Sequence, residues 1–324
     1  MFSKLYSTKV KSSKLDSLLD LQAEYNTDYD TEVKSAIELP PNIGEEVFTH
    51  SETYRLSFNS DKRADFNELV KMIPFLSTQE ELNLFKSSLL MWRKGGYTVT
   101  ANNTNLVLDG LFKANQLELI LEILCNRFTY SLHPLSSQIR LLIERFGSAA
   151  ITETDPELHV TILDNMYKSF GLLLYYDRPV TQSAYDLLIV PGLLANSEEG
   201  VRRSIVTYKE MQSLGWTGLN STIFAIALHD YKNNRFLETL EKLQLIKQDT
   251  EYKLALEVQT YVAASKLPDA LKTLAKYVKT PKSDDSKYKF TTYLESDIVG
   301  LVSKAVKESG DEKLISSLET LLTE

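Results

Sequence analysis

The sequence predicts an all-α protein, a right-handed α-solenoid of about six to seven helix–turn–helix repeats. Three observations carry that expectation. Apolar residues make up 43% of the 324 positions, whereas Gly and Pro number only 12 and 9, too few for the tight turns that many short strands need. From Asp61 onward the apolar residues return at helical spacing, which gathers them on one face of each helix. Short polar turns interrupt that pattern at a recurring interval.

The chain divides into three stretches. Residues 1–15 (MFSKLYSTKVKSSKL) contain Lys4, Lys9, Lys11 and Lys14, five Ser or Thr, and no acid. A cationic, hydroxyl-rich, acid-free start is the composition of a mitochondrial transit segment, here with Lys in place of the usual Arg. Leu5-Tyr6-Ser7-Thr8 resembles a presequence processing region, so the expected destination is the mitochondrial matrix. Residues 16–60 read as an acidic extended arm: positions 16–46 carry nine acids against Lys34 alone, with Pro40-Pro41 near their end. Residues 61–324 read as the repeat domain.

Within that domain Leu82, Phe85, Leu89 and Trp92 fall on one helical face, as do Leu117, Ile120, Leu121 and Leu124. Val201, Ile205, Tyr208 and Met211 form a third stripe, and Phe236, Leu240 and Leu243 a fourth. Turns are expected at Ser77-Thr78, Ala114-Asn115, Thr154-Asp155, Asn196-Ser197, Asn233-Asn234, Lys266 and Ser309-Gly310, at steps of 33 to 43 residues. That period marks helix pairs of the TPR or HEAT kind, each of which buries its apolar face only by stacking on a neighbour. The turn chemistry agrees. Thr78 with Glu80 and Glu81 reads as an N-cap followed by acids in the first turn, and Pro268 sits where a helix start tolerates it.

Several function classes are disfavoured. The formal charge is −8, whereas a free nucleic-acid binder usually has a basic footprint. His50, His133, His159 and His229 are widely separated and lack partners at metal-ligand spacing. Lys94-Gly95-Gly96 does not continue into a phosphate loop, and no dinucleotide or nucleophile-elbow motif occurs. No catalytic residue, cofactor, metal or small-molecule substrate is therefore expected, and the chain reads as a non-enzyme. The one cysteine, Cys125, lies among Ile120, Leu121, Ile123 and Leu124 and reads as a small core residue. No apolar run approaches the roughly 18 residues of a membrane span; the best, Leu187 to Ala195, contains Pro191 and Gly192.

Asn105 to Leu124 (NLVLDGLFKANQLELILEIL) resembles the pentatricopeptide repeat, PPR, with Asp109, Gly110, Leu111, Lys113, Ala114 and Glu118 at the expected places and Asn115 where Gly is usual. Val206 to Trp216, Tyr231 to Leu240 and Phe85 to Gly95 echo other parts of the same unit. The resemblance spans roughly residues 64–280 and implies a stack of helical hairpins that reads RNA through a polar residue in each first helix. Those positions fall on Asn105, Asp186 and Ala225. Ala225 cannot hydrogen-bond a base edge and Asp186 repels phosphate, so a consecutive base-reading code is not expected.

One local feature opposes the acidic trend. Residues 266–289 hold seven lysines against three acids. Lys272, Lys276 and Lys279 share one helical face, and Lys282, Lys287 and Lys289 extend it into a loop. Such a row can hold phosphate backbone without reading sequence, and these six lysines are the candidate RNA contacts. Together, the transit-like start, the degenerate PPR-like stack and the single basic row resemble peripheral small-subunit proteins of the mitochondrial ribosome. The partners so implied are ribosomal RNA and mitochondrial ribosomal proteins. The alternatives are a mitochondrial RNA-binding factor for translational activation or mRNA stability, and a TPR-type protein–protein scaffold.

Overall fold

The computed structural model describes residues 43–58, 65–195, 197–281 and 287–323. These form sixteen α-helices and two short 3-10 turns, with no strand among the described residues. Two compact units divide between Gln138 and Ile139.

The first unit contains Glu45–Phe58 (α1), Phe66–Met72 (α2), Gln79–Lys94 (α3), Ala101–Lys113 (α4), Leu117–Cys125 (α5) and Arg127–Tyr130 (α6). The acidic arm expected over 16–60 therefore stops short, because 45–58 is helical and packs on α2 and α3. Tyr54 is what ties α1 down. Its side chain is fully buried, and its hydroxyl donates to the Ser88 carbonyl at 3.0 Å. Phe58, Phe66 and Tyr97 surround Trp92, whose indole donates to the Thr98 carbonyl at 3.2 Å. Gly110 packs directly on Ile73, where an added Cβ would meet Cδ1 at 3.0 Å.

Glu81 joins two segments of this unit. It closes a capping box with Thr78 at the start of α3 and also accepts from the Gly44 N–H at 2.9 Å and the Ser77 N–H at 2.8 Å. Burial alone would raise its pKa, but these donors outweigh that and bring the carboxyl down to about 2.

The second unit runs through Ser136–Thr152 (α7, which starts just before the boundary), Pro156–Tyr175 (α8), Gln182–Leu194 (α9), Glu198–Ser213 (α10), Asn220–Lys232 (α11) and Phe236–Leu245 (α12). Glu251–Ala263 (α13), Leu267–Lys279 (α14), Ile298–Ser309 (α15) and Glu312–Thr323 (α16) complete it. Helices pair with their chain neighbours, α9 with α10, α11 with α12 and α13 with α14. In addition α9 packs on α11, α11 on α13, and α13 on α15, while α14 packs on α16. The core follows: Tyr185, Ile189, Phe224, Leu228, Leu256 and Phe290 share one cluster, and Val258, Leu274, Val302 and Leu318 the next. The α11–α12 hairpin is further fixed by buried Asp230, paired at 2.6 Å with both Arg235 and Lys242.

All seven expected turns lie at helix boundaries. Thr78, Asp155 and Ser197 are N-caps whose side chains accept from the following backbone; Asn196 lies outside the described residues. Ala114, Asn233 and Gly310 are C-caps, and Lys266 precedes α14. One geometry repeats at six helix ends. Gly96, Asn115, Asp177, Gly215, Asn234 and Ser265 all adopt positive φ, and the next residue's N–H bonds back to the carbonyl five residues earlier. That is the Schellman pattern, which favours Gly and tolerates Asn.

The nine-residue run from Leu187 does not break at Pro191 and Gly192. Helix α9 continues through both, and Pro191 packs against Gly147. Gly192 and Gly200 let α9 and α10 approach at backbone contact: a Cβ on Gly200 would lie 2.7 Å from the Gly192 carbonyl oxygen. Cys125 also departs from expectation. It is exposed, because it is the last residue of α5, where Ile120, Ile123 and Leu124 already fill the inward face. Among the described residues no helix is long and apolar enough to cross a membrane.

Candidate nucleic-acid interface

Helix α14 places the lysine row. Pro268 and Asp269 start it, Lys276 and Lys279 end it where the helix dipole favours cations, and Ala270, Leu271 and Leu274 bury the opposite side. Lys272, Lys276 and Lys279 are all exposed. None of the three pairs with a carboxylate among the described residues. The row is not uniform electrostatically. Lys276 acts through space on Asp249, whose pKa is lowered first by its hydrogen bond from Lys253 and further by the Lys276 charge. Lys276 also faces Glu257, whose carboxyl burial pushes up. Acidic neighbours thus weaken the potential at the middle of the row.

The loop extension contributes less than the sequence implied. Lys287 pairs with Glu144 at 2.8 Å, and its ammonium sits 5.6 Å from the Tyr288 ring centroid. Lys289 is exposed, with backbone in the left-handed region. Lys282 lies outside the described residues. The structure therefore brings three of the six candidate lysines onto one face and commits a fourth elsewhere.

Of the three positions implied by the PPR resemblance, two are buried and the third is half-buried. Asn105, in the first unit, accepts from the Gln138 side-chain amide at 3.2 Å. Ala225 is 1% exposed and part of the core. Asp186 is 7% exposed. Its Oδ1 accepts from the hydroxyls of Ser221 and of Thr222, the latter at 2.7 Å, while Oδ2 receives the Tyr288 phenol at 3.4 Å. Burial, then the Asp186 and Glu144 carboxylates, push the Tyr288 pKa up, so the phenol remains a donor.

Sequence reasoning missed the cavity beside Asp186. About 540 Å³ in volume, it is lined by Asp186, Ser221, Tyr252, Lys287, Tyr288 and Phe290 among others. These residues come from four distant segments, so no local motif announces them. A second element of possible chemistry is the pair Ser197 and His159, with Oγ and Nε2 2.7 Å apart. The imidazole is 4% exposed, and the same Ser197 oxygen caps α10 by accepting from the Gly200 N–H. That arrangement holds a helix start in place. Among the described residues no group of three or more His, Cys, Asp or Glu is placed to hold a metal ion.

No family model matches the chain, and neither does any curated protein.

Proposed function

We propose that this protein is a non-catalytic structural component of the mitochondrial ribosomal small subunit, docking on ribosomal RNA and neighbouring proteins through a PPR-like helical-repeat scaffold. The observation that carries the reading is the exposed row Lys272, Lys276 and Lys279, unpaired among the described residues, on an otherwise acidic chain. At a Debye length of about 8 Å an acidic body attracts RNA only through such a local patch. The stacking of alternate helices in the second unit supports the scaffold, since each hairpin buries its neighbour's apolar face as repeat arrays do. Burial of Asp186 and Ala225 favours docking over base-by-base reading. The N-terminal address lies outside the described residues and rests on composition alone.

The test replaces Lys272, Lys276 and Lys279 with Gln, which removes charge without placing acids at the end of α14. Each lost phosphate contact lowers the salt dependence of binding by about 0.7 to 0.9 in log–log slope, so the triple variant should leave isolated small subunits at lower salt with a slope about 2 to 3 shallower. Helical content should be unchanged. Release at the same salt as wild type would refute the row as the docking surface.

A further inference from the structure

A carboxylate offers about four acceptor sites, and those of Asp186 are used unevenly. Oδ1 takes two hydroxyl donors from the first turn of α11, whereas Oδ2 takes one long contact at 3.4 Å. Lys287, the cation that lines the cavity, is held by Glu144 at 2.8 Å and does not pair with Asp186. The rest of the lining includes the aromatic residues Tyr252, Tyr288 and Phe290, packed on one another with ring centroids 5.4 and 5.7 Å apart. Glu144 thus offsets Lys287, and the Asp186 carboxylate has no ion-pair partner among the described residues.

We propose that this cavity receives the guanidinium of an arginine side chain presented by a partner protein, with Asp186 Oδ2 as its acceptor and the aromatic residues as its walls. The chemistry selects that group. A planar guanidinium offers several N–H donors to a carboxylate and stacks on aromatic faces, whereas an ammonium is a compact, strongly hydrated charge. A phosphate or carboxylate would meet Asp186 at close range. This site is separate from the lysine row and stands whether or not that row touches RNA.

The experiment titrates the full chain, labelled at its Tyr and Phe rings for NMR, with N-acetyl-arginine amide. N-acetyl-citrulline amide serves as the uncharged isostere and free L-arginine as the metabolite. Saturable shifts of the Tyr252, Tyr288 and Phe290 rings are expected with the capped arginine, at least about tenfold weaker with the citrulline analogue. Asp186→Asn, which keeps the size of the side chain and an Oδ1 acceptor for Ser221 and Thr222, should weaken the arginine response by a similar factor while melting near wild type. Equal binding of arginine and citrulline amides would overturn the proposal, and that comparison needs no variant. So would unchanged binding by folded Asp186→Asn, or no ring shifts at about 20 mM, well above the millimolar range of weak sites. Much tighter binding of free L-arginine than of the capped form would overturn the protein partner in favour of a metabolite.

Discussion

Adding one methyl group at Gly200 should destabilise the second unit, although Ala is the better helix former. The new Cβ would stand 2.7 Å from the Gly192 carbonyl oxygen and 2.7 Å from Ser197 Oγ. The first contact is with backbone, so α9 and α10 must move apart; overpacking of this kind costs about 1–3 kcal/mol. The second displaces the hydroxyl that caps α10, at about 1 kcal/mol. Against these stands a helix-propensity gain of up to about 1 kcal/mol. The net loss is about 1–3 kcal/mol, a fall in melting temperature of about 3–10 °C for a unit of this size. Gly171→Ala supplies the control. It lies in α8, exposed, with nothing within 4 Å of an added Cβ. The same chemical change there should stabilise by up to about 1 kcal/mol. Thermal unfolding followed by far-UV circular dichroism reads both. If the two substitutions shift the midpoint in the same direction, the close crossing of α9 and α10 is not a real feature of the fold.

Glu81 links stability to pH. Its folded pKa, about 2, lies below the ordinary 4.5, so its contribution is full above pH 4.5 and is lost as pH falls toward 2. Allowing for solvent screening, the shift corresponds to on the order of 1–3 kcal/mol at neutral pH. The gap in unfolding free energy between wild type and Glu81→Gln should therefore narrow with acid, and a gap independent of pH would contradict the assignment. Ser265 adopts a φ of 58°, so Ser265→Gly should stabilise by about 0.5–1 kcal/mol in denaturant titration; a loss of stability would mean that the turn needs the side chain. Removing residues 2–15 should abolish import into isolated mitochondria, and undiminished import of the truncated chain would reduce that segment to a tail.

The helix boundaries were legible in the sequence because capping is local chemistry. Thr78, Asp155 and Ser197 satisfy backbone donors within three residues of themselves, and Asn115 and Asn234 mark left-handed helix ends by residue type. The apolar stripes were equally readable: Phe85, Leu89, Trp92, Ile120, Leu124, Leu240 and Leu243 are all buried. Helix α1 escaped because its buried positions, Val47, Ser51 and Tyr54, include a serine in the middle. Its order depends on Tyr54 reaching Ser88, a contact that no local pattern reveals. At the candidate site, the exposed face of α14 followed from lysine spacing. The neutralisation of Lys287 by Glu144 and the burial of Asp186 under Ser221 and Thr222 did not, since both depend on segments brought together only by folding.

Docking on the small subunit is tested most directly by sedimentation. A mitochondrial lysate is run through a sucrose gradient at low salt, with and without ribonuclease, and the protein is followed by antibody. The account predicts that it peaks with the small subunit, and that ribonuclease or raised salt moves it toward the top. A protein that stays in the light fractions at low salt, or that is absent from the mitochondrial lysate altogether, would contradict it.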